Sequence, residues 1–393
     1  MGQQAIGQDH RLGGPAVLKQ HPQARQLLPG WDGRRPARGY GVGRPTLFRD
    51  RHPGRLDDRV ALIRGATHAV TPSVTVNTSQ PHDYAVSQVH EAIAEATQKL
   101  ADVGIDSARV DAELLAEFAL GVPRNRLPIA ADPPPERLDL LRRLVAARAT
   151  RVPVQYLTGL APFRYLELAV GPGAFIPRPE TELLVDWGLA RLAGIEEPIV
   201  VDLASGSGAI ALAVATECHG ATVYAVERST SALDWLRRNA AGTGARIVAA
   251  DVTDPALLTE LDGRVDLVLC NPPYVPDANP VAPEVSGYEP REAIFGGPDG
   301  LTVIGPVIAR SAGLLRPGGY LGIEHDDSQG EAVPALLRAD GRYEEIEDHR
   351  DLAGRPRFAT ARRLADCSGP ASGAAPAVPR SSGPGPHRED LSQ

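Results

Sequence analysis

The sequence predicts an α/β fold built on an open, mostly parallel sheet, preceded by a small helical domain and a β-hairpin linker. Three observations carry this expectation. From about residue 198, the short buried runs IVVDL, ATVYAVE, RIVAAD, VDLVLC and GGYLGIEH read as strands separated by helical patterns. Asp202, Glu227, Asp251 and Asn271 fall at the carboxyl ends of these strands, where open α/β sheets bind ligands. Upstream, from about Ser87, apolar residues recur at helical spacing instead.

The totals narrow the function classes. A chain of 393 residues is long enough for two or three domains. Cys218, Cys270 and Cys367 have no paired spacing, which excludes a disulfide framework and a zinc ribbon. A reducing, cytoplasmic setting is expected. No apolar run approaches the ~18 residues of a membrane span, and the start MGQQAIGQDH lacks the basic and apolar regions of an export signal. The net charge of -8 is unevenly shared: residues 1–86 hold 12 Lys and Arg against 6 Asp and no Glu, a surplus of +6 that leaves -14 for the remainder. Phosphate binding relies on Lys and Arg displacing counterions, so no long nucleic-acid groove and no stable nucleic-acid partner are expected of an acidic body.

Residues 1–82 are rich in Gly, Pro, Arg and His and have no sustained period. Such a segment buries too little apolar surface to offset its ordering entropy, and disorder is expected. A basic arm for RNA is one alternative. Another is an extension upstream of the true translation start, the missing Glu being what a non-coding frame gives. Residues 83–152 read as a helical domain. VHEAIAEATQKLADVG places Val89, Ile93, Ala96 and Leu100 on one face and stops at Gly104; SARVDAELLAEFALG places Val110, Leu114, Leu115 and Phe118 together and stops at Gly121; ERLDLLRRLVAARATR follows a Pro break at 133–135. This domain is either a packing scaffold or a docking surface for substrate. Residues 153–174 alternate like short strands punctuated by Gly and Pro, a hairpin linker.

The α/β domain spans 175–364. In FIPRPETELL, Pro177 and Pro179 hold the chain extended until Thr181 caps a helix with Glu182 in its first turn. Arg178 and Glu180 either lock two domains together or line a site. In IVVDLASGSGAIALA, the turn Ala204, Ser205, Gly206, Ser207, Gly208 joins a strand to a helix starting near Ala209, and its glycines let the backbone approach a ligand. Ala211 stands where a dinucleotide fingerprint needs its third glycine, which argues against pyrophosphate. Glu227, about 20 residues on, suits the two hydroxyls of a ribose, and Asp251 an exocyclic amine such as that of adenine. The fourth strand runs into Asn271, Pro272, Pro273 and Tyr274. Two prolines fix φ and remove two donors, holding a side-chain amide, free carbonyls and a ring in fixed relation. That suits a planar NH2 group, its protons accepted by Asn271 and a proline carbonyl and its flat face covered by Tyr274; a Pro-Pro turn closing a strand is the plainer reading. YEEIEDHRD and PRFATARRL form a terminal strand pair, and the low-complexity residues 365–393 are expected to be a disordered tail. No His or Cys cluster suggests a metal.

DLASGSGAIALA, AVE, NPPY and FIPRPETE together resemble the HemK/PrmC-type protein glutamine N5-methyltransferases that modify peptide chain release factors. NPPY alone also occurs in nucleic-acid methyltransferases, whereas IPRPETE, YEPREAIFGGPDGL (288–301) and IEHDDSQGEAV are more particular to this family. The resemblance covers about Ser87 to Leu364. It implies a Rossmann-like class I methyltransferase domain that binds S-adenosylmethionine over Ala204 to Gly208, with Glu227 on the ribose, Asp251 and Val252 beside the adenine, and Asn271 next to the cofactor. It implies that Asn271, Pro272, Pro273 and Tyr274 hold the substrate glutamine, that Asn271, Pro272 and Tyr274 carry the catalysis, and that Phe175 lies near the transferred methyl. Two departures stand out: Ala204 replaces the usual Gly, and Val252 replaces an aromatic present in some members. Rival readings are a methyltransferase for an exocyclic amine of adenine or guanine in nucleic acid, a cofactor-binding or adaptor protein without catalysis, and an NAD-dependent oxidoreductase.

Overall fold

The computed structural model describes residues 87–365, so the expectations for residues 1–82 and for the tail beyond residue 365 lie outside the described residues. In chain order the elements are α1 (Gln88–Asp102), α2 (Ala108–Leu120), α3 (Pro135–Ala149), α4 (Val154–Thr158), β1 (Leu160–Phe163), β2 (Leu166–Ala169), α5 (Thr181–Leu192), β3 (Ile199–Leu203), α6 (Ala209–Glu217) and β4 (Thr222–Glu227). They continue with α7 (Thr230–Asn239), β5 (Arg246–Ala249), β6 (Val265–Cys270), α8 (Pro283–Tyr288), α9 (Ile304–Leu314), β7 (Leu315–Glu324), α10 (Ala332–Asp340), β8 (Tyr343–Arg350) and β9 (Pro356–Arg363). The described residues fall into two compact units, the first running to Pro177 and including Ser229–Asn239 and Asn279–Ile294, the second holding the rest. Among the described residues no helix is long and apolar enough to cross a membrane.

In the first unit, α1 begins at Ser87, whose hydroxyl accepts from the Val89 N–H, and it buries Val89, Ile93, Ala96 and Leu100, the face its periodicity predicts. Helix α2 departs from expectation. It buries Ala108, Asp111, Ala112, Leu115, Ala116 and Ala119, while Val110 is 42% exposed and Leu114 and Phe118 are half-buried. The alanines let neighbouring helices approach closely, and Arg148 on α3 draws Asp111 inward through a 2.7 Å contact between its Nε and Asp111 Oδ2, which rotates the face. The remaining Arg148 nitrogens reach Val152 O at 3.3 Å and Glu284 Oε1 on α8 at 3.0 Å. Arg151 contacts the same Glu284 oxygen, Tyr288 donates to Thr150 O, and Glu289 accepts from the Ile176 N–H. The segment around α8 is therefore fastened to α3 and to the chain that follows it.

Residues 154–158, expected as part of the hairpin, form the short helix α4, entered after Pro153 and ended by Gly159 at φ 74°. The hairpin proper is β1 paired antiparallel with β2. The Asn239 side chain of α7 bonds both backbone groups of Ala169, and the Trp235 indole packs on Gly171, where a Cβ would collide with the ring.

The second unit is a seven-stranded sheet in the order β5-β4-β3-β6-β7-β9-β8. The first five strands are parallel and β9 pairs antiparallel with β7 and β8. The chain runs outward from β3 through β4 to β5 and returns to β6 on the other side of β3. That reversal is a switch point, and open α/β sheets bind ligands beyond the carboxyl ends of the strands on either side of it, here β3 and β6. Val201, Leu203, Val268, Cys270, Leu321 and Ile323 are fully buried and anchor these strands in one core. The third parallel strand stops at Ala249, two residues short of Asp251, and the fifth begins at Leu315, three residues ahead of the expected Gly318. Glu180 occupies the cap position of α5 and Thr181 is its first helical residue. Thr181 is thus not the predicted cap, and its hydroxyl is used elsewhere.

Candidate functional site

The polar residues at or near the ends of the parallel strands share the carboxyl edge of the sheet. Glu227 closes β4, Asp202 precedes the last residue of β3, Asn271 follows β6, and Glu324 closes β7. The structure brings Ala204 to Gly208, Glu227, Asp251, Val252 and Asn271 to Tyr274 into the second unit. Phe175 belongs to the first unit, half-buried between buried Ala174 and Ile176.

The loop after β3 turns at Ala204, which takes φ 62°, and at Gly206 and Gly208, at φ 56° and 96°. A non-glycine residue in this left-handed region carries a Cβ too close to the next carbonyl, which is why an Ala here departs from the resembled pattern. A Cβ built on Gly206 meets nothing within 4 Å, so the loop is open above that residue. Glu227 closes the loop from beside it, one oxygen accepting the Gly206 N–H and the other the Arg228 N–H, each at 2.8 Å. Asp202 is 1% exposed; its Oδ2 accepts the Ala211 N–H at 3.0 Å, near the start of α6, while Oδ1 is buried with no partner. Burial pushes the Asp202 carboxyl up to about 7, opposed by Ser205 and the Ala211 N–H and reinforced by the charge of Glu227.

Asp251 lies just past β5 with both oxygens engaged. Oδ1 accepts from the N–H and hydroxyl of Thr253, and Oδ2 pairs with Arg228 at 3.0 Å. The bonds from Thr253, ahead of the Arg228 contribution, hold its carboxyl below the usual range. Val252 is buried in the core cluster behind it.

Asn271 to Tyr274 leave β6 as an irregular corner whose outer side is fixed by Thr181, expected only as a helix cap, and by Glu324, which sequence reasoning did not single out. Glu324 Oε2 accepts the Thr181 hydroxyl at 2.7 Å, Glu324 Oε1 accepts the Tyr274 hydroxyl at 3.0 Å, and Asn271 Nδ2 donates to Thr181 Oγ1 at 3.2 Å. Glu324 is 1% exposed, and burial first of all pushes its carboxyl up to about 7, opposed by Thr181, Tyr274 and Arg357 and reinforced by Glu180. The Tyr274 phenol is raised by burial and then by the Glu324 charge, so it stays a neutral donor. Arg178 and Glu180 lie in this second unit, acting electrostatically on Tyr274 and Glu324.

The backbone of the corner is pinned from behind. Buried Gln329 donates to Tyr274 O at 3.0 Å and to Asp299 O at 2.9 Å while accepting the Asp326 N–H. Val275 bridges to Phe295. Gly300 takes φ 75°, and a Cβ there would run into the Tyr274 carbonyl, so only glycine permits this approach. GGPDGL and IEHDDSQ are therefore structural supports of NPPY. By contrast, Asn271 Oδ1 and the Pro272 carbonyl have no hydrogen-bond partner among the described residues. The corner presents two acceptors and a ring: equipment to hold a planar NH2 group. Among the described residues no three His, Cys, Asp or Glu side chains converge as metal ligands do.

The family described as PrmC N-terminal domain matches residues 91–159, and that described as Methyltransferase small domain matches residues 181–283. The chain is 49% identical over 280 residues to the release factor glutamine methyltransferase of Mycolicibacterium smegmatis, covering 71% of this chain and 99% of that protein. It is 46% identical over 279 residues to the release factor glutamine methyltransferase of Mycobacterium tuberculosis, covering 70% of this chain and 91% of that protein. It is also 41% identical over 263 residues to the 4-amino-L-phenylalanine/4-methylamino-L-phenylalanine methyltransferase of Streptomyces pristinaespiralis, covering 64% of this chain and 88% of that protein.

Proposed function

The chain belongs to the release factor glutamine methyltransferase family, and we propose that it transfers a methyl group to the side-chain N5 of the glutamine in the Gly-Gly-Gln motif of peptide chain release factors, in the cytoplasm. It is an enzyme of the class I fold, and its methyl donor is S-adenosylmethionine. The residues fit that donor: the loop is open above Gly206, Glu227 stands beside it, and the buried Asp202 Oδ1 lacks the donor that a cationic ligand or its solvent would provide. Ala204, Ser205, Gly206, Ser207 and Gly208, with Glu227, Asp251, Val252 and Asn271, are the residues proposed to hold it. The domain boundaries proposed are 83–152 for the helical domain, 153–174 for the linker and 175–364 for the methyltransferase domain.

The observation that carries the reading is the pair of unpartnered acceptors, Asn271 Oδ1 and the Pro272 carbonyl, at the end of β6. An amide nitrogen shares its lone pair with the carbonyl and is a poor nucleophile. Two acceptors on its two protons orient the NH2 and favour pyramidalisation, which turns the lone pair outward. The ring of Tyr274 covers the flat face of the amide, and Pro273 keeps the corner rigid. Phe175 is likewise proposed as a substrate-binding residue. No strong base is required, because the rate arises from alignment and a preorganised field. As the N–CH3 bond would form and the S–CH3 bond break, the nitrogen, strongly acidic once alkylated, would lose one proton through its acceptors to solvent, with a neutral thioether as the leaving group. S-adenosylmethionine, when bound, supplies an electrophilic methyl on a sulfonium.

The test is transfer of labelled methyl from S-adenosylmethionine to a purified release factor, with and without replacement of the Gly-Gly-Gln glutamine. Label on the unaltered factor alone supports the reading. Transfer instead to RNA, DNA or a free arylamine, with none to the release factor, would overturn it.

A further inference from the structure

We propose that Thr181 and Glu324 are positioning residues that decide which way the Asn271 amide faces. This inference rests on the reading of Asn271 as the substrate grip. A carboxylate only accepts hydrogen bonds, and a Thr hydroxyl has a single proton. Glu324 Oε2 takes that proton at 2.7 Å. Thr181 Oγ1, having spent its proton, can only accept from Asn271, so the group 3.2 Å away must be the Asn271 NH2. The Asn271 oxygen is thereby turned to the other side, as the acceptor that a substrate amide needs. Glu324 Oε1 holds the Tyr274 hydroxyl in the same way, so one carboxylate sets both side chains of the grip.

The chain of donors reverses when Glu324 is protonated. A carboxylic acid donates one bond, Thr181 can then accept from it and release its own proton towards Asn271, and the amide loses its reason to keep the oxygen on the substrate side. Burial brings the Glu324 carboxyl up to about 7, so this exchange falls in an accessible range. The charged and titratable groups facing it are Arg357 on β9, Glu180 ahead of α5, Tyr274, and Cys270 at the end of β6. The Cys270 thiol is pushed well up by burial and stays neutral. Ionised Glu324 is the competent form, so turnover is full well above pH 7 and falls as pH drops through about 7.

The experiment compares wild type, Thr181→Val, Thr181→Ser and Glu324→Gln, measuring kcat and KM for release factor, cofactor affinity, melting temperature and the pH profile of kcat. Thr181→Val keeps the shape and removes the acceptor. It is expected to lower kcat roughly 10- to 100-fold with KM and cofactor affinity within about twofold, while Thr181→Ser restores most of the loss. The acid limb near pH 7 is expected in wild type and Thr181→Ser and absent from Glu324→Gln. A folded Thr181→Val with wild-type kcat, or an acid limb that persists in Glu324→Gln, overturns the proposal; a variant that melts early leaves the decision to Thr181→Ser and the wild-type pH profile. Should wild type leave the release factor unlabelled, the substrate reading fails separately, and the same variants are compared on whichever amine wild type does methylate.

Discussion

Substituting Asp202 by Asn should flatten the dependence of stability on pH, and the size of the effect follows from its burial. In the ligand-free fold the carboxyl sits at about 7 against an ordinary 3.8. The folded chain therefore keeps a proton through a range in which the unfolded chain has released it. For a carboxyl raised in this way, stability is greatest below the ordinary value and is lost as pH rises towards 7. Between about pH 5.5 and 8 the loss is about 2 kcal/mol for one such group. Glu324, raised from 4.5 to about 7, adds a similar loss. Asn at 202 keeps an oxygen for the Ala211 N–H and cannot ionise, so the ~2 kcal/mol contributed by Asp202 should disappear from the wild-type loss. The assay is urea unfolding without cofactor at both pH values, with stabilities taken from the midpoints at common slope. Groups elsewhere titrate in both proteins and cancel in the comparison. Identical pH dependence in wild type and Asp202→Asn, within about 0.5 kcal/mol, would refute the argument, because it would mean that Asp202 titrates as an exposed carboxyl does.

Three further outcomes are expected. Arg148→Met strands the buried Asp111 with only Ser107 as a side-chain partner and should cost about 3–5 kcal/mol; Asp111→Asn should cost clearly less, since Arg148 keeps Glu284 and Val152, and urea midpoints of the two variants check the asymmetry. Asn271→Ala should remove most turnover, about 100-fold, with a smaller loss of cofactor affinity by calorimetry, because the loop from Ala204 to Gly208 and Glu227 still hold the cofactor. Ala204→Gly relieves a left-handed alanine at φ 62°, a strain of about 1–2 kcal/mol offset in part by the greater freedom of glycine in the unfolded chain; a slightly raised melting temperature with cofactor binding retained is the expected result.

The sheet and its polar carboxyl edge were legible because each parallel strand is a short apolar run with a polar residue at or just beside its carboxyl end, and a period of two or a continuous run survives packing unchanged. Helix α1 was legible for the same reason, its buried face being its most apolar one. Helix α2 was not. Its buried face is mostly alanine and includes Asp111, so hydrophobicity pointed to Val110 and Phe118, while close helix packing and the pull of Arg148 chose otherwise. Residues 154–158 carry strand-like residues, yet Pro153 and Gly159 bracket one helical turn, and local backbone geometry prevailed over composition. Thr181 was read as a cap because Thr ahead of a helix usually serves as one. Its true partner, Glu324, lies 143 residues along the chain. What the sequence does contain is a demand: a glutamate ending the buried run YLGIE needs donors. It does not say which residues the sheet order will bring to meet that demand.

The same demand distinguishes the two raised carboxyls. Glu324 has two hydroxyl donors within the protein, so its network is closed before any ligand arrives. Asp202 has one backbone donor on Oδ2, and its Oδ1 is buried with no partner at hydrogen-bond distance, one residue before the glycine loop begins to leave β3. A cationic ligand favours the ionised form of a nearby carboxyl, so cofactor binding should lower the Asp202 carboxyl and leave Glu324 less affected. By linkage, binding that releases a proton strengthens as pH rises and levels off above the value of the ligand-free group. Cofactor affinity should therefore increase from about pH 5.5 towards 7.5 in wild type and in Thr181→Val, and should be weaker and nearly independent of pH in Asp202→Asn. Calorimetric titration in buffers of different ionisation enthalpy reads the proton release directly. If Asp202→Asn released as many protons as wild type on binding, the carboxyl that senses the cofactor would have to be another one, and Glu227, beside the same loop, would be the first to replace.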